Sequence, residues 1–389
     1  MKLHIFNPEN DLALADGGFS YCPPPAAARI ANELASLPLW YAGEGSLVAL
    51  PDEHIAFRDT MATKFALPSL YTPSMRQSVT LFSPWGWSAQ MRHRLFKAMG
   101  FDKALLPTDA QIERMRNLSS RVLTIDVLTA LKNSGVDTPP LPQYIDNIDA
   151  AIAFVNGCAR CVVKAPWSGS GKGIMWGIGR AEEPMVHFSR GVIRRQGGVV
   201  CEHFFNAKVE FAMEFFAEPN AVRFAGYSLF TAENGAYTGN ILARDCEIEA
   251  ILSKYVSKEL LINVREELCR IMQNLLAESG YRGYFGIDMM VYDNGDGCRL
   301  NPCMEVNLRM NMGVVARLFC DRFVHYESRG VYRVKYYKNS GDAYRSHLEL
   351  QAAHPLKVRD GRVVEGYINL APVTPDNHYT AYAIVENNL

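Results

Sequence analysis

The sequence has 389 residues, enough for two or three domains, and its 40 basic and 41 acidic side chains leave a net charge of −1. With 48% hydrophobic and 21% charged residues, it has an ordinary globular balance, which argues against a nucleic-acid or anionic-membrane surface. Nine scattered cysteines, of which only Cys158 and Cys161 approach a metal-like spacing, read as reduced thiols; with no signal-peptide core and no apolar run of about 18 residues, the default expectation is a cytoplasmic protein.

Residues 2–6 read as a buried first strand, and the loop Asn7-Pro8-Glu9-Asn10-Asp11 follows at its carboxyl end, where open α/β sheets tend to bind ligands. Asn, Pro and Asp are also ordinary turn formers, so a capped turn is the competing reading; as a ligand loop its acids suit a cationic amine. A helix over 26–37, strand pieces within 39–50, a strand over 79–82 and a basic helix opening at Trp85-Gly86-Trp87-Ser88 complete an α/β domain over residues 1–107. Arg92, Arg94 and Lys97 read as a solvated face of that helix.

Residues 109–117 are helical, and Ser119-Ser120-Arg121 leads a second helix with apolar residues at Val122, Ile125, Leu128 and Leu131, ended by Gly135. A helix over 150–155 precedes a strand within 161–165 that ends in Lys164. A lysine closing the run Cys-Val-Val-Lys-Ala-Pro is expected either to face a strong anion or to lie exposed at a sheet edge. The loop Ser168-Gly169-Ser170-Gly171-Lys172-Gly173 lets backbone amides approach phosphates closely, but it is not a Walker A loop, because Gly173 follows Lys172 where Ser or Thr is required. A helix over 182–195 leads to a strand over 199–202, and further strands are expected over 211–216, 222–230 and 237–243, with helices over 247–255 and 259–279.

The stretch 284–306 reads as a hairpin: an aromatic and β-branched strand over 284–292, the turn Asp293-Asn294-Gly295-Asp296-Gly297, and a return strand from Arg299. Strand alternation puts Gly286, Asp288 and Met290 on one face and Glu305 with Asn307 on one face, so pairing those faces brings two carboxylates and an amide oxygen together. Acids beside a hairpin are usually just solvated. Here, however, Asp288 lies within an apolar run and Glu305 lies between Met304 and Val306, where an unpaired carboxylate would cost on the order of several kcal/mol. Such hard oxygen donors suit Mg²⁺ or Mn²⁺, and Arg309 adds a fixed cation beside them for a phosphoryl group. A helix over 311–319 follows, and residues 331–389 contain strand-like pieces, one of them over 362–370, with no readable chemistry.

Gly-Ile-Asp-Met-Met-Val followed by Met-Glu-Val-Asn-Leu-Arg resembles the metal-binding signature of the ATP-grasp superfamily, and Val-Val-Lys-Ala-Pro with the glycine loop resembles that family's strand lysine and phosphate lid. The resemblance covers roughly residues 108–320 and implies an α/β chain with an ATP-grasp fold behind an amino-terminal open α/β domain. The implied division is an amino-terminal domain over 1–107, an ATP-grasp domain over 108–330 with a lid lobe at about 140–205, and a β-rich extension over 331–389 packed on it. It implies metal ligation by Asp288, Glu305 and Asn307, phosphate contacts from Lys164, Arg309 and the lid residues Ser168, Gly169, Ser170 and Gly171, and ATP with Mg²⁺ or Mn²⁺ as the cofactors. Arg121 takes the place of a family lysine that reaches the phosphates. Glu202, Phe204 and Phe205 resemble the adenine hinge, and Glu210 the acid that takes the ribose hydroxyls. The implied activity joins a small-molecule or peptide carboxylate to an amine or thiol through an acyl phosphate, with no nucleic-acid or membrane partner. Phosphorylation of a hydroxyl, as by ATP-grasp kinases, and nucleotide binding without turnover are the alternatives.

Overall fold

Three sheets organise the chain, and the computed structural model describes residues 1–169, 173–233 and 236–387. Strands β1 (Lys2–Ile5), β2 (Leu47–Val48), β3 (Ser69–Leu70) and β4 (Leu81–Pro84) form a parallel sheet in the order β3-β2-β1-β4. The first strand is therefore interior, with Leu3 and Ile5 buried. The expected loop after it is shorter, because a helix starts at once (Asn10–Asp16) and takes Asn10 and Asp11 into its first turn. The helix expected over 26–37 spans only Pro25–Glu33 and resumes as Pro38–Tyr41, where a proline that lacks an N–H fits the first turn. The strand expected over 79–82 forms two residues later, as β4. The basic helix divides into Ala89–His93, capped by the Ser88 side chain, and a wider π-turn over Arg94–Ala98.

The helix Asp109–Leu118 opens with a capping box between Thr108 and Gln111. In the next helix, Leu123–Asn133, the buried residues are Leu123, Thr124, Val127, Leu128 and Leu131, so Leu128 and Leu131 face the core as expected while Val122 and Ile125 are only partly buried. Strands β5 (Gln143–Ile145), β6 (Cys161–Lys164), β7 (Ile174–Gly177) and β8 (Val199–His203) form a small antiparallel sheet in the order β5-β8-β6-β7. Cys161, Val163 and Cys201 pack with residues of the helices Ile148–Gly157 and Glu183–Gln196, so alternation turns Val162, Lys164, Val200 and Glu202 to the other face.

The third sheet has nine strands: β9 (Asn206–Glu218), β10 (Ala221–Glu233), β11 (Ala236–Leu242), β12 (Gly283–Asp293), β13 (Cys298–Asn307), β14 (Ser328–Tyr336), β15 (Lys357–Arg359), β16 (Arg362–Asn369) and β17 (Tyr379–Asn387), in the order β13-β12-β9-β10-β11-β14-β17-β16-β15. The carboxy-terminal strands thus continue the sheet that carries the hairpin. On one face Phe211, Met213, Phe215, Phe285, Ile287, Met289 and Val291 join the main core with Leu261, Val264 and Leu268 of the helix Lys258–Leu276. The helix Met312–Phe323 packs with residues of the amino-terminal unit in a second core, where the Trp40 indole donates to the Leu370 carbonyl at 2.7 Å. No helix among the described residues is long and apolar enough to cross a membrane.

One junction fixes the carboxyl edge of the parallel sheet. Asn7, after β1, donates to the Gly86 carbonyl at 2.9 Å, and the Gly86 N–H donates back at 3.4 Å, tying the loop after β4 to the loop after β1. A Cβ on Gly86 would lie 2.3 Å from the Asn10 side chain, so only glycine fits. Gly86→Ala should therefore lower stability by about 1–3 kcal/mol in urea denaturation; a change within about 0.5 kcal/mol would contradict this account of the junction.

Candidate active site

The hairpin forms as β12 and β13, and its register places Asp288 directly opposite Glu305 and Gly286 opposite Asn307. Neighbouring β9 sets Met290 against Glu210, Asp288 against Ala212 and Gly286 against Glu214, so Glu210 and Glu214 share the face of Asp288. The Asn307 amide donates to Asp288 at 3.0 Å, leaving its carbonyl oxygen as a further donor atom for a cation. The two expected carboxylates and the amide oxygen therefore do converge.

Glu214 was not singled out from the sequence. It is 1% exposed, with one oxygen accepting from Asn311 at 2.9 Å and the other without a partner. The signal that could have found it is the repeat Glu210-Phe-Ala-Met-Glu214, which sets acids at positions of equal parity on one strand face.

Lys164 is buried in an interior strand and meets the Glu202 carboxylate at 2.5 Å, so the anion it faces belongs to the protein itself. Arg121 links the small sheet to the hairpin acids, donating to the Ala165 carbonyl beside Lys164 and pairing with Glu305. Arg309 pairs in two-toothed fashion with Asp11 of the Asn10–Asp16 helix, both contacts being 2.7 Å. The expectation that Asp11 is open to a cationic substrate is corrected accordingly: its carboxylate is taken by Arg309. Glu9 is buried, and desolvation raises its pKa above the ordinary range.

Arg121 does not point at an open phosphate site. It donates to the Ala165 carbonyl at 2.9 Å and to the Ser168 side chain, and it pairs with Glu305 at 3.1 Å. Gly169 rests on Asp11, where a Cβ would come within 2.5 Å of the carboxylate, and Trp167 donates to the Arg116 carbonyl at 2.9 Å. Ser170 and Gly171 lie outside the described residues.

The hinge residues fall partly elsewhere. The Arg160 guanidinium stacks 3.6 Å from the centre of the Phe204 ring, Phe205 packs on Tyr292 at 4.5 Å, and the Phe204 N–H donates to the Arg160 carbonyl. Both rings line a cleft of about 700 Å³ with Thr138, Pro139, His203 and Tyr292, whereas Lys164, Glu202 and Glu210 are not among its walls. Phe204 and Phe205 thus line this cleft, while Glu202 lies with Lys164 on the small sheet.

Charge decides what the hairpin face can hold. Three cations, Arg121, Lys164 and Arg309, stand against six carboxylates: Asp11, Glu202, Glu210, Glu214, Asp288 and Glu305. Burial, and then the Glu305 carboxylate, push Asp288 up to about 7, and burial, with Asp288 adding to it, pushes Glu214 up to about 8. Acids this poorly compensated suit divalent cations. Among the described residues no three His, Cys, Asp or Glu side chains form a metal cage by themselves. The donor set of Asp288, Glu305 and Asn307 thus fits Mg²⁺ that completes its shell with water or phosphate oxygens.

The Asp11 to Arg309 pair, with side chains only 19% and 16% exposed, joins the parallel sheet unit to the hairpin. Asp11→Asn should cost about 1–3 kcal/mol of stability, and a double-mutant cycle with Arg309→Gln should return a coupling of about 1 kcal/mol or more. Additive single effects in urea denaturation would show that the pair contributes no coupling.

No family model matches the chain, and no curated protein matches it. Solved structures do. N5-carboxyaminoimidazole synthetase from Staphylococcus aureus is 12% identical with a TM-score of 0.52, the match covering 100% of this chain and 94% of that one. The same enzyme complexed with ADP is 13% identical with a TM-score of 0.50, over 100% of this chain and 93% of that one. Biotin carboxylase from Campylobacter jejuni, in a β,γ-ATP complex, is 11% identical with a TM-score of 0.52, over 99% of this chain and 87% of that one. Both proteins are ATP-grasp proteins, and with almost the whole chain aligned to them at these scores, this chain has the ATP-grasp fold.

Proposed function

We propose that the protein is an ATP- and Mg²⁺-dependent ligase that joins a carboxylate to an amine or thiol. The observation that carries this reading is Asp288 facing Glu305 on a face where acids outnumber cations, with Arg121 joining Glu305 to the Ala165 carbonyl next to the buried pair of Lys164 and Glu202. The fold it shares with a synthetase complexed with ADP supports a nucleotide as the cofactor. When bound, MgATP would supply the γ-phosphoryl group that turns a carboxylate into an acyl phosphate, from whose acyl carbon an amine or thiol then displaces inorganic phosphate.

The residues of the chain divide the task. Asp288, Glu305 and the Asn307 carbonyl oxygen would hold Mg²⁺, and Lys164 would give its charge to phosphate oxygens while Glu202 keeps it oriented. Arg309, fixed by Asp11, has five N–H groups of which three are bonded, two to Asp11 and one to the Met310 carbonyl; the other two remain for an incoming oxyanion. In this reading, residues 1–107 supply the acceptor side of the cleft, and the partners are small molecules. The nine free cysteines support a reducing, cytoplasmic setting.

Asp288→Asn and Glu305→Gln should each lower ADP formation from ATP by roughly a hundredfold or more, with the circular dichroism spectrum unchanged. Retained turnover in Glu305→Gln at saturating Mg²⁺ would overturn the metal assignment. Lys164→Ala should weaken MgATP binding about tenfold in calorimetric titration; equal affinity in mutant and wild type would remove Lys164 from the nucleotide site.

A further inference from the structure

Arg121 is placed unusually for a residue whose partner is a candidate metal ligand. It precedes the helix Leu123–Asn133 and is 4% exposed. The segment after β6 holds it on three sides: its N–H donates to the Pro166 carbonyl at 2.9 Å, and its guanidinium donates to the Ala165 carbonyl and to Ser168. From that position one nitrogen reaches both oxygens of Glu305, at 3.1 and 3.2 Å, while its Nε is buried without a partner. A guanidinium placed for its own satisfaction would not leave a donor orphaned, so the arrangement favours the contact with Glu305.

A divalent cation at Glu305 needs at least one of those oxygens, and in a poorly solvated cleft it is repelled by a fixed positive charge a few ångströms away. We propose, on the metal reading given above, that Arg121 is a built-in counter-ion for Glu305. It holds that carboxylate while no divalent cation is present and disfavours entry of a lone cation. Entry becomes favourable when the cation arrives with an anion, a phosphate chain, to which the guanidinium can turn. Arg121 thereby makes metal binding depend on nucleotide, and the interaction with Ser168 passes the exchange to the segment after β6.

The test uses Mn²⁺ as the probe, with free Mn²⁺ read by electron paramagnetic resonance, with and without ADP. Wild type should hold Mn²⁺ weakly alone and tightly with ADP. Arg121→Gln should hold Mn²⁺ alone about tenfold more tightly than wild type, or better. The gain should vanish when Glu305→Gln is added. Ser168→Ala loosens Arg121 without emptying the buried position and should give a smaller gain in the same direction, and it decides the matter if Arg121→Gln does not fold. Folded variants with no gain, or a gain that survives Glu305→Gln, would overturn the counter-ion role while leaving the metal site in place. A wild type that retains no Mn²⁺ even with ADP would overturn the metal reading itself.

Discussion

Carboxylates crowded on one sheet face, with Glu214 buried and the others only partly exposed, are the constraint around which the hairpin side of this molecule is built. Glu210 and Glu214 on β9, Asp288 on β12 and Glu305 on β13 share one sheet face, and desolvation raises the pKa of the first three. A fold optimised for stability alone would put apolar side chains there, as the opposite face of the same strands does with Phe211, Met213, Phe285 and Ile287. The cost of gathering acids is offset locally by Arg121, Asn307 and Asn311, and more fully by whatever cation the site accepts.

The compensating charges come from different sheets. Arg309 is neutralised by Asp11 of the parallel sheet unit, Glu305 by Arg121 at the entrance of the Leu123–Asn133 helix, and Lys164 by Glu202 within the small antiparallel sheet. Two of these three pairs bridge elements far apart in sequence, so the electrostatics of the site also report whether those units are correctly docked. The packing of Gly169 on Asp11 and of Trp167 on Arg116 places the described start of the glycine loop at the same junction.

Much of this was legible in the sequence where the local signal was strong. The run Gly286-Ile-Asp288-Met-Met-Val announces a strand with one misplaced charge, and the hairpin and its turn are legible from composition; alternation gives the faces of Asp288 and Glu305, while their direct opposition is set by the register. The strand ending in Lys164 forms as well, over Cys161–Lys164 within the expected 161–165. What the sequence did not reveal is pairing at a distance. Asp11 looks like a turn residue because its partner lies 298 positions away, and nothing local to Arg121 shows that the fold brings Glu305 to it. At the hinge, adjacency in the sequence does not show where each ring packs: Phe204 takes Arg160 and Phe205 takes Tyr292.

The order of the nine-stranded sheet has a consequence for how the chain can be made. β17 lies between β14 and β16, although it follows both of them in sequence. While the polypeptide emerges from the ribosome, β9 to β13 can pair and gather the hairpin acids, but β14 must wait with one edge open until β17 is synthesised some 40 residues later and slides in beside it. That interval is when the nascent chain is most exposed to wrong edge-to-edge pairing, so chaperone dependence and aggregation during expression should concentrate in the carboxy-terminal strands, far from the chemistry.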